Sequence, residues 1–234
     1  MWPPLVSLIT PTYNEAKNLP ENIKRIQKSL KNHFFEIIIV DDNSSDGCGK
    51  IADKYAENYS NIKVMHRDSK KGLGTAYKEG FELTKGELII SMDSDLSHDA
   101  TFLPQLIEAA KESDIVIGSR LCNGGSIEGR EFHRDFLTYF SNTVIKLFTK
   151  SHVNDWTSGF RVYRRETWME LMPDVHCNKW DFQFESLFKA IKMGCNVKEV
   201  PITFYERSEG TSKFGLSDMF LFIKSFFSVV TNRK

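Results

Sequence analysis

The feature that most constrains this chain is an alternation of short, continuously apolar runs with stretches of helical periodicity. "LVSLIT" (5–10) leads through the polar "PTYNEAKNLP" into a segment where Leu19, Ile23, Ile26 and Leu30 share one helical stripe. "FFEIIIV" (34–40), "IKVMH" (62–66), "ELIISM" (87–92) and "DIVIGS" (114–119) repeat the pattern. Helices are expected between them, near 48–58, 73–84 and 101–111. A strand that is apolar at every position is buried on both faces. The expected fold is therefore α/β, a Rossmann-like and mostly parallel central sheet with helices on both faces.

Beyond residue 120 the alternation fails. "CNGGSIEG" reads as a loop, 131–149 as a helix, "TSGFRVYRRE" as a strand then a helix entry, and 182–193 as a helix. "VKEVPITFYER" reads as one further strand. From about 216 to 230, Leu216, Met219, Phe220, Ile223, Phe226, Phe227 and Val230 recur at helical spacing, with Lys213, Lys224, Arg233 and Lys234 around them. Such a C-terminal amphipathic helix suits a membrane interface, a membrane-spanning partner or ordinary core packing. No linker interrupts the 234 residues, so one domain is expected over 1–234. Within it the alternating region (about 1–120) is followed by an irregular one (about 121–215) and by the closing helix (about 216–230).

Charge narrows the function. Lys+Arg and Asp+Glu are both 31, so no global field favours nucleic acid and any charged site must be local. Cys48, Cys122, Cys177 and Cys195 lack metal-ligand spacing and suit a reducing compartment. The N-terminus has no basic region of the kind that opens a signal peptide, and no apolar run reaches the ~18 residues of a spanning helix.

Ligands of parallel sheets bind beyond the carboxyl ends of the strands. Here those ends read "PTYNE", "DDNSSDG", "HRDSKKG", "DSDLSH" and "SRLCNGG", all polar and four of them acidic. Asp93 and Asp95 end a core strand. Two residues apart in an extended segment, their Cα atoms lie about 6.5–7 Å apart on one face, where both carboxylates can converge on a hard divalent cation. Alternatively, Asp95 or Ser97 caps the following helix. Asp42 can accept from a ribose or a base N–H, or serve the turn with Asp41. Tyr13 can stack on a base and Glu15 accept from it, unless the segment is a capping turn at Asn14. Arg120, Arg134, Arg161, Arg207 and Lys213 recur beside this acidic rim, and their chemistry suits phosphate groups.

In order and spacing, "SLITPTYNEAKNL", "IIIVDDNSSDG", "KKGLGTAYKEGF", "MDSDLSHDATFLP" and "VIGSR" resemble the family 2 glycosyltransferases of GT-A fold. "DWTSGFRVYRRE" and "EVPITFYERSEGTSKFG" narrow the resemblance to dolichol-phosphate mannosyltransferases and related polyprenyl-phosphate sugar transferases. The resemblance implies an inverting, metal-dependent transfer of mannose from GDP-mannose to dolichyl (polyprenyl) phosphate, with UDP-glucose as an alternative donor.

It also implies that about 1–120 is a nucleotide-binding half, about 121–215 an acceptor and diphosphate half and about 216–230 a membrane-interface or partner helix, and it implies site roles. Pro11, Tyr13, Glu15, Val40, Asp42, Asp93, Ser94, Asp95, Ser97, Arg207 and Lys213 would bind the donor. Asp93, Asp95 and Ser97 would hold Mg2+ or Mn2+. Arg120 and Arg134 would receive the lipid phosphate, and with Asp95 they form the expected catalytic set. The implied location is peripheral, on the cytoplasmic face of a membrane: the endoplasmic reticulum in a eukaryote, the plasma membrane in a prokaryote. Attachment would be direct or through a small membrane-spanning subunit.

Overall fold

The apolar runs assemble into a seven-stranded sheet in the computed structural model, which describes residues 4–179 and 181–206 together with Phe226 and Val229. The first four runs become β1 (Val6–Thr12), β2 (Phe35–Asp41), β3 (Ile62–His66) and β4 (Leu88–Ser91); the fifth is β5 (Ile115–Ser119). Between them lie α1 (Leu19–Ser29), α2 (Cys48–Asn58), α3 (Leu73–Phe81) and α4 (Leu103–Ala109). β1 pairs in parallel with both β2 and β4, and β2 with β3, so the ends of all four strands point the same way.

Alternate residues of each strand serve opposite cores. Val6, Leu8, Ile37, Ile39 and Ile90 pack under α1, α2 and α4, while Ile9, Ile38, Val40, Ile89 and Ile117 face the other side. On α1 the stripe of Leu19, Ile23 and Ile26, continued by Leu30, is completely buried. At about 1.5–3 kcal/mol per buried side chain, this burial outweighs any weakness in helix propensity.

The second half departs from a simple continuation. β6 (Ser126–Glu128) forms inside the segment read as a loop, followed by α5 (Phe132–Thr149). The chain then returns as β7 (Arg161–Arg164), inserted antiparallel between β4 and β5, before α6 (Arg165–Leu171) and α7 (Asp181–Lys192). "VKEVPITFYER" is two strands, not one: β8 (Val197–Pro201) pairs parallel to β5, and β9 (Thr203–Tyr205) leaves the sheet to pair with β6. The break falls at Ile202, which is buried while its N–H reaches Ser119 O at 3.0 Å.

Antiparallel β7 explains Arg161, whose role the residue pattern left with the phosphate-binding cations. Fully buried, it donates to the carbonyls of Gln183 (2.8 Å) and Trp156 (2.9 Å). It ties α7 to the sheet and is not a surface cation. The expected C-terminal helix lies outside the described residues except at two positions. There Phe226 is buried against Phe184 and Phe148, at ring-centre distances of 5.2 and 5.7 Å, as core packing requires.

Candidate active site

A cleft of about 360 Å³ opens at the common ends of β1 to β4. β1 contributes Pro11 and Thr12, with Tyr13 and Glu15 just beyond it, and Asp42 follows β2. The β3–α3 loop adds Lys70, Lys71 and Gly72, α3 adds Leu73, and β4 leads to Asp93, Ser94 and Asp95. Lys179 enters from the segment before α7. Three non-glycine residues adopt positive φ where the chain leaves these strands: Asn14 (56°), Asn43 (58°) and Leu96 (66°). Asparagine tolerates this backbone. Leu96 does so at a cost of about 1–2 kcal/mol, which the surrounding contacts offset.

Those contacts hold the two aspartates. Ser97 donates to Asp95 Oδ1 through both its N–H (3.1 Å) and its hydroxyl (2.5 Å). Tyr77 donates from its hydroxyl to Asp93 Oδ1 at 3.2 Å; burial, and then the Asp93 charge, hold its proton far above the ordinary phenol range. Burial pushes His98 below the usual histidine range, and its neutral Nδ1 accepts the Asp93 N–H at 3.1 Å. Ser94 donates to Pro11 O at 2.9 Å, binding the β4 end to the β1 end. Helix capping, the rival reading of Asp95 and Ser97, goes instead to Asp99, which accepts from Thr101 N at 2.9 Å.

Several expected site residues stand differently from the sequence reading. Ser97, expected as a metal ligand, is buried and lies behind Asp95, which it orients. Val40, expected in the nucleotide pocket, turns its side chain into the core beneath α3 because its position alternates with Asp41. Asp42 does line the cleft, but Arg67 Nε donates to its Oδ1 at 2.5 Å from behind. Arg67 also donates to Thr75 (2.8 Å), so one buried guanidinium fixes both Asp42 and the start of α3.

Arg120 and Arg134 are not open cations. Arg120 donates to both oxygens of the fully buried Asp155 at 2.7 Å, and Arg134 to Glu206 at 2.6 Å. Arg207 and Lys213 lie outside the described residues. Missed altogether were Lys70, Lys71 and Lys179. Lys70 Nζ sits 4.6 Å from the Tyr13 ring centre, a cation–π contact. The only signal for the first two was the "KK" ending the third strand's loop; Lys179 had none, because tertiary packing alone brings α7 beside α3.

Gly72 forms the floor near these lysines. It has a φ of +114°, and a Cβ there would collide with the backbone carbonyl of Asn178. Gly72→Ala is expected to cost about 3 kcal/mol and to weaken nucleotide binding. Thermal unfolding and a GDP titration of the purified variant check both effects.

The paired carboxylates of Asp93 and Asp95 would suit a hard divalent cation such as Mg2+ or Mn2+. No group of three or more metal-ligating side chains occurs among the described residues, so phosphate oxygens of a ligand and water would complete the coordination shell. Parallel strand ends presenting paired aspartates, an aromatic ring and lysines around one cleft define an α/β protein whose site suits a phosphorylated ligand.

Comparison with known proteins names the class. The model of "Glycosyl transferase family 2" matches residues 7–171. An undecaprenyl-phosphate mannosyltransferase of Micrococcus luteus is 35% identical over 89% of this chain and 86% of its own. A polyprenol monophosphomannose synthase of Mycolicibacterium smegmatis is 38% identical over 91% of this chain and 82% of its own. The fold is shared with glucosyl-3-phosphoglycerate synthase of Mycobacterium tuberculosis, solved with Mn2+, UDP-glucose and phosphoglyceric acid. That likeness has a TM-score of 0.74 at 16% identity and covers 98% of this chain and 80% of that one. A Pyrobaculum calidifontis mannosyltransferase, solved with GDP-Man and Mn2+, gives 0.67 at 18% identity over 100% of this chain and 66% of that one. The chain belongs to glycosyl transferase family 2, and it is a glycosyltransferase of GT-A fold.

Proposed function

We propose that this enzyme transfers mannose from GDP-mannose to a polyprenyl phosphate, dolichyl phosphate included, with inversion at the anomeric carbon. The observation that carries the reading is the 35–38% identity, sustained over about nine-tenths of the chain, to enzymes named for mannosyl transfer to polyprenyl phosphates. The cleft supports it. Tyr13 offers a ring for the base, and Glu15 and Asp42 offer acceptors for its N–H groups or the ribose. Asp93 and Asp95 would hold a divalent cation against the diphosphate. When bound, that cation supplies Lewis-acid stabilisation of the charge developing on the leaving nucleoside diphosphate. Lys70, Lys71 and Lys179 add positive charge around the same cleft.

The acceptor needs no general base, because a lipid monophosphate is already anionic near neutral pH. What its approach needs is neutralisation, the role proposed for Arg120 and Arg134. Arg207 and Lys213 take the donor diphosphate in this reading, on the family resemblance. A membrane surface as the working place is supported by α5. On one flank it leaves Phe132, Phe136, Phe140 and Leu147 exposed by 84, 57, 58 and 72%, a face suited to lipid. No helix among the described residues is long and apolar enough to cross a membrane, so peripheral attachment is the form proposed.

A donor panel tests the reading. Purified enzyme receives a short-chain polyprenyl phosphate with GDP-mannose, UDP-glucose or other nucleotide sugars, and the released nucleoside diphosphate is scored. GDP-mannose is expected to react at least about tenfold faster than any other donor. Chelation should abolish turnover, and Mg2+ or Mn2+ should restore it. Dominant use of UDP-glucose, or release of pyrophosphate, would overturn the proposal, as would nucleotide binding without transfer.

A further inference from the structure

A second constellation gathers where β6, β9 and the start of α5 meet. Arg120 and Arg130 place their guanidinium carbons 5.3 and 5.8 Å from the ring centre of Phe204, and Arg134 stands on the adjoining turn of α5. Three carboxylates answer them. Asp155 grips Arg120 bidentately; Glu206 accepts from Arg134 and lies 3.6 Å from Arg130 Nε; Asp135 lies 3.7 Å from Arg130 Nη1. Three cations facing three anions give this corner no net charge. Its hydrogen bonding is nevertheless incomplete. Arg130 Nε, Asp135 Oδ1 and Glu206 Oε2 are buried without a hydrogen-bond partner among the described residues. Buried charged atoms left so are costly, and of the three Arg130 Nε is a donor that an anionic ligand could satisfy.

The three acids differ in how easily they could yield. Asp155 is fully buried and accepts backbone N–H groups from Arg120, Thr157 and Ser158. Asp135 is carried in the first turn of α5. Glu206 lies just past β9, its side chain 28% exposed, and immediately precedes Arg207. It is the most exposed of the three and sits on no helix, so its carboxylate can swing toward solvent at the cost of its contacts to Arg130 and Arg134.

We propose that Glu206 holds the place of the acceptor's phosphate, and that the incoming phosphate displaces this carboxylate from Arg130 and Arg134. The proposal rests on the reading of the acceptor as a polyprenyl phosphate. Arg130 thereby becomes a third phosphate-binding residue beside Arg120 and Arg134. The charge argument is direct: a phosphate approaching the paired cluster meets no net attraction, whereas one replacing Glu206 meets a net positive corner. Its charge of about −1.5 to −2 and its three oxygens suit Arg130 Nε, which makes an ion pair but no hydrogen bond with Glu206, better than one carboxylate does. The exchange also lies next to the aspartate loop. Tyr205 N donates to Ser97 O at 3.1 Å, and Ser97 in turn orients Asp95.

Calorimetry of the full chain with inorganic phosphate, GDP and Mn2+ filling the donor cleft, tests the exchange without requiring turnover. Glu206→Gln is expected to bind phosphate about fivefold more tightly than the wild type, and Arg130→Ala about tenfold more weakly. In transfer assays the same changes should appear in KM for the lipid phosphate, while KM for GDP-mannose stays within about twofold. Equal phosphate affinity in the wild type and Glu206→Gln, or a raised lipid KM in that variant, overturns the proposal. Should Glu206→Gln fail to fold, Arg130→Lys decides. Loss of the guanidinium fork should weaken phosphate binding at least about threefold, and unchanged binding overturns the assignment. Failure of the wild type to transfer mannose to any polyprenyl phosphate would instead remove the functional reading, leaving the calorimetric result to judge the exchange.

Discussion

Asp95→Ala is expected to lower kcat about a thousandfold, equivalent to about 4 kcal/mol of transition-state stabilisation, while the protein stays folded. The two halves of this expectation have separate causes. Asp95 lines the cleft just past β4, where its carboxylate stands beside that of Asp93. In the proposed reading, removing it would leave Asp93 alone, with too little charge and too few oxygens to hold a divalent cation against a diphosphate. Among the described residues the fold loses the hydrogen bonds from Ser97, and β4 stays anchored by Leu88, Ile89 and Ile90 in the two cores. The checks are initial rates with saturating Mn2+ and a thermal melt. Near-wild-type turnover under those conditions would show that Asp95 is not needed to hold the cation.

Asp155→Asn should produce the opposite pattern, a large loss of stability. The carboxylate is completely buried and serves Arg120 bidentately, while also accepting N–H groups from Arg120, Thr157 and Ser158. Removing one partner of a buried pair strands the other, at a cost of about 3–5 kcal/mol. For a chain of this size that lowers the melting temperature by about 10 °C. The pH dependence follows from the same geometry. Although burial alone raises the Asp155 pKa, the Arg120 guanidinium outweighs it and holds the carboxyl below its ordinary value. The contribution is therefore complete above an unfolded pKa of about 4 and is lost as pH falls through the lower folded value. Denaturant titrations from pH 7 down to pH 3 should show a wild-type loss below about pH 4 that Asp155→Asn largely lacks.

Arg120 shows why sequence patterning reads partners poorly. As a residue at the end of "VIGSR", it looked like a cation waiting for phosphate. Its companion Asp155 lies 35 positions away, and nothing in periodicity joins the two. Asp42 and Arg67, 25 positions apart, are a second such case, and Arg134 with Glu206, 72 apart, a third. Ser97 shows a different limit. The family resemblance placed it in a metal set, but a backbone turn through Leu96 at positive φ brings its hydroxyl back onto Asp95. That conformation depends on what surrounds Leu96, not on what Leu prefers.

The elements of the first half were legible because their signal is local and large. A strand buried on both faces must be apolar at every position, and a helix lying over it must carry a stripe every three to four residues. Those two periods appear in residues 5–119 and are the periods of β1 to β5 and α1 to α4. The strand ends were legible for the same reason, since polar residues concentrate where burial stops. The sequence by itself thus determined the α/β class, the sheet-end location of the cleft, and Asp93 and Asp95 on its rim. Only the tertiary structure decided the antiparallel insertion of β7, the parting of β8 from β9, the entry of Lys179 and the partners of the buried Arg67, Arg120 and Arg161. Those depend on contacts between segments far apart in the chain, and the energy of a contact is written in neither partner's local sequence.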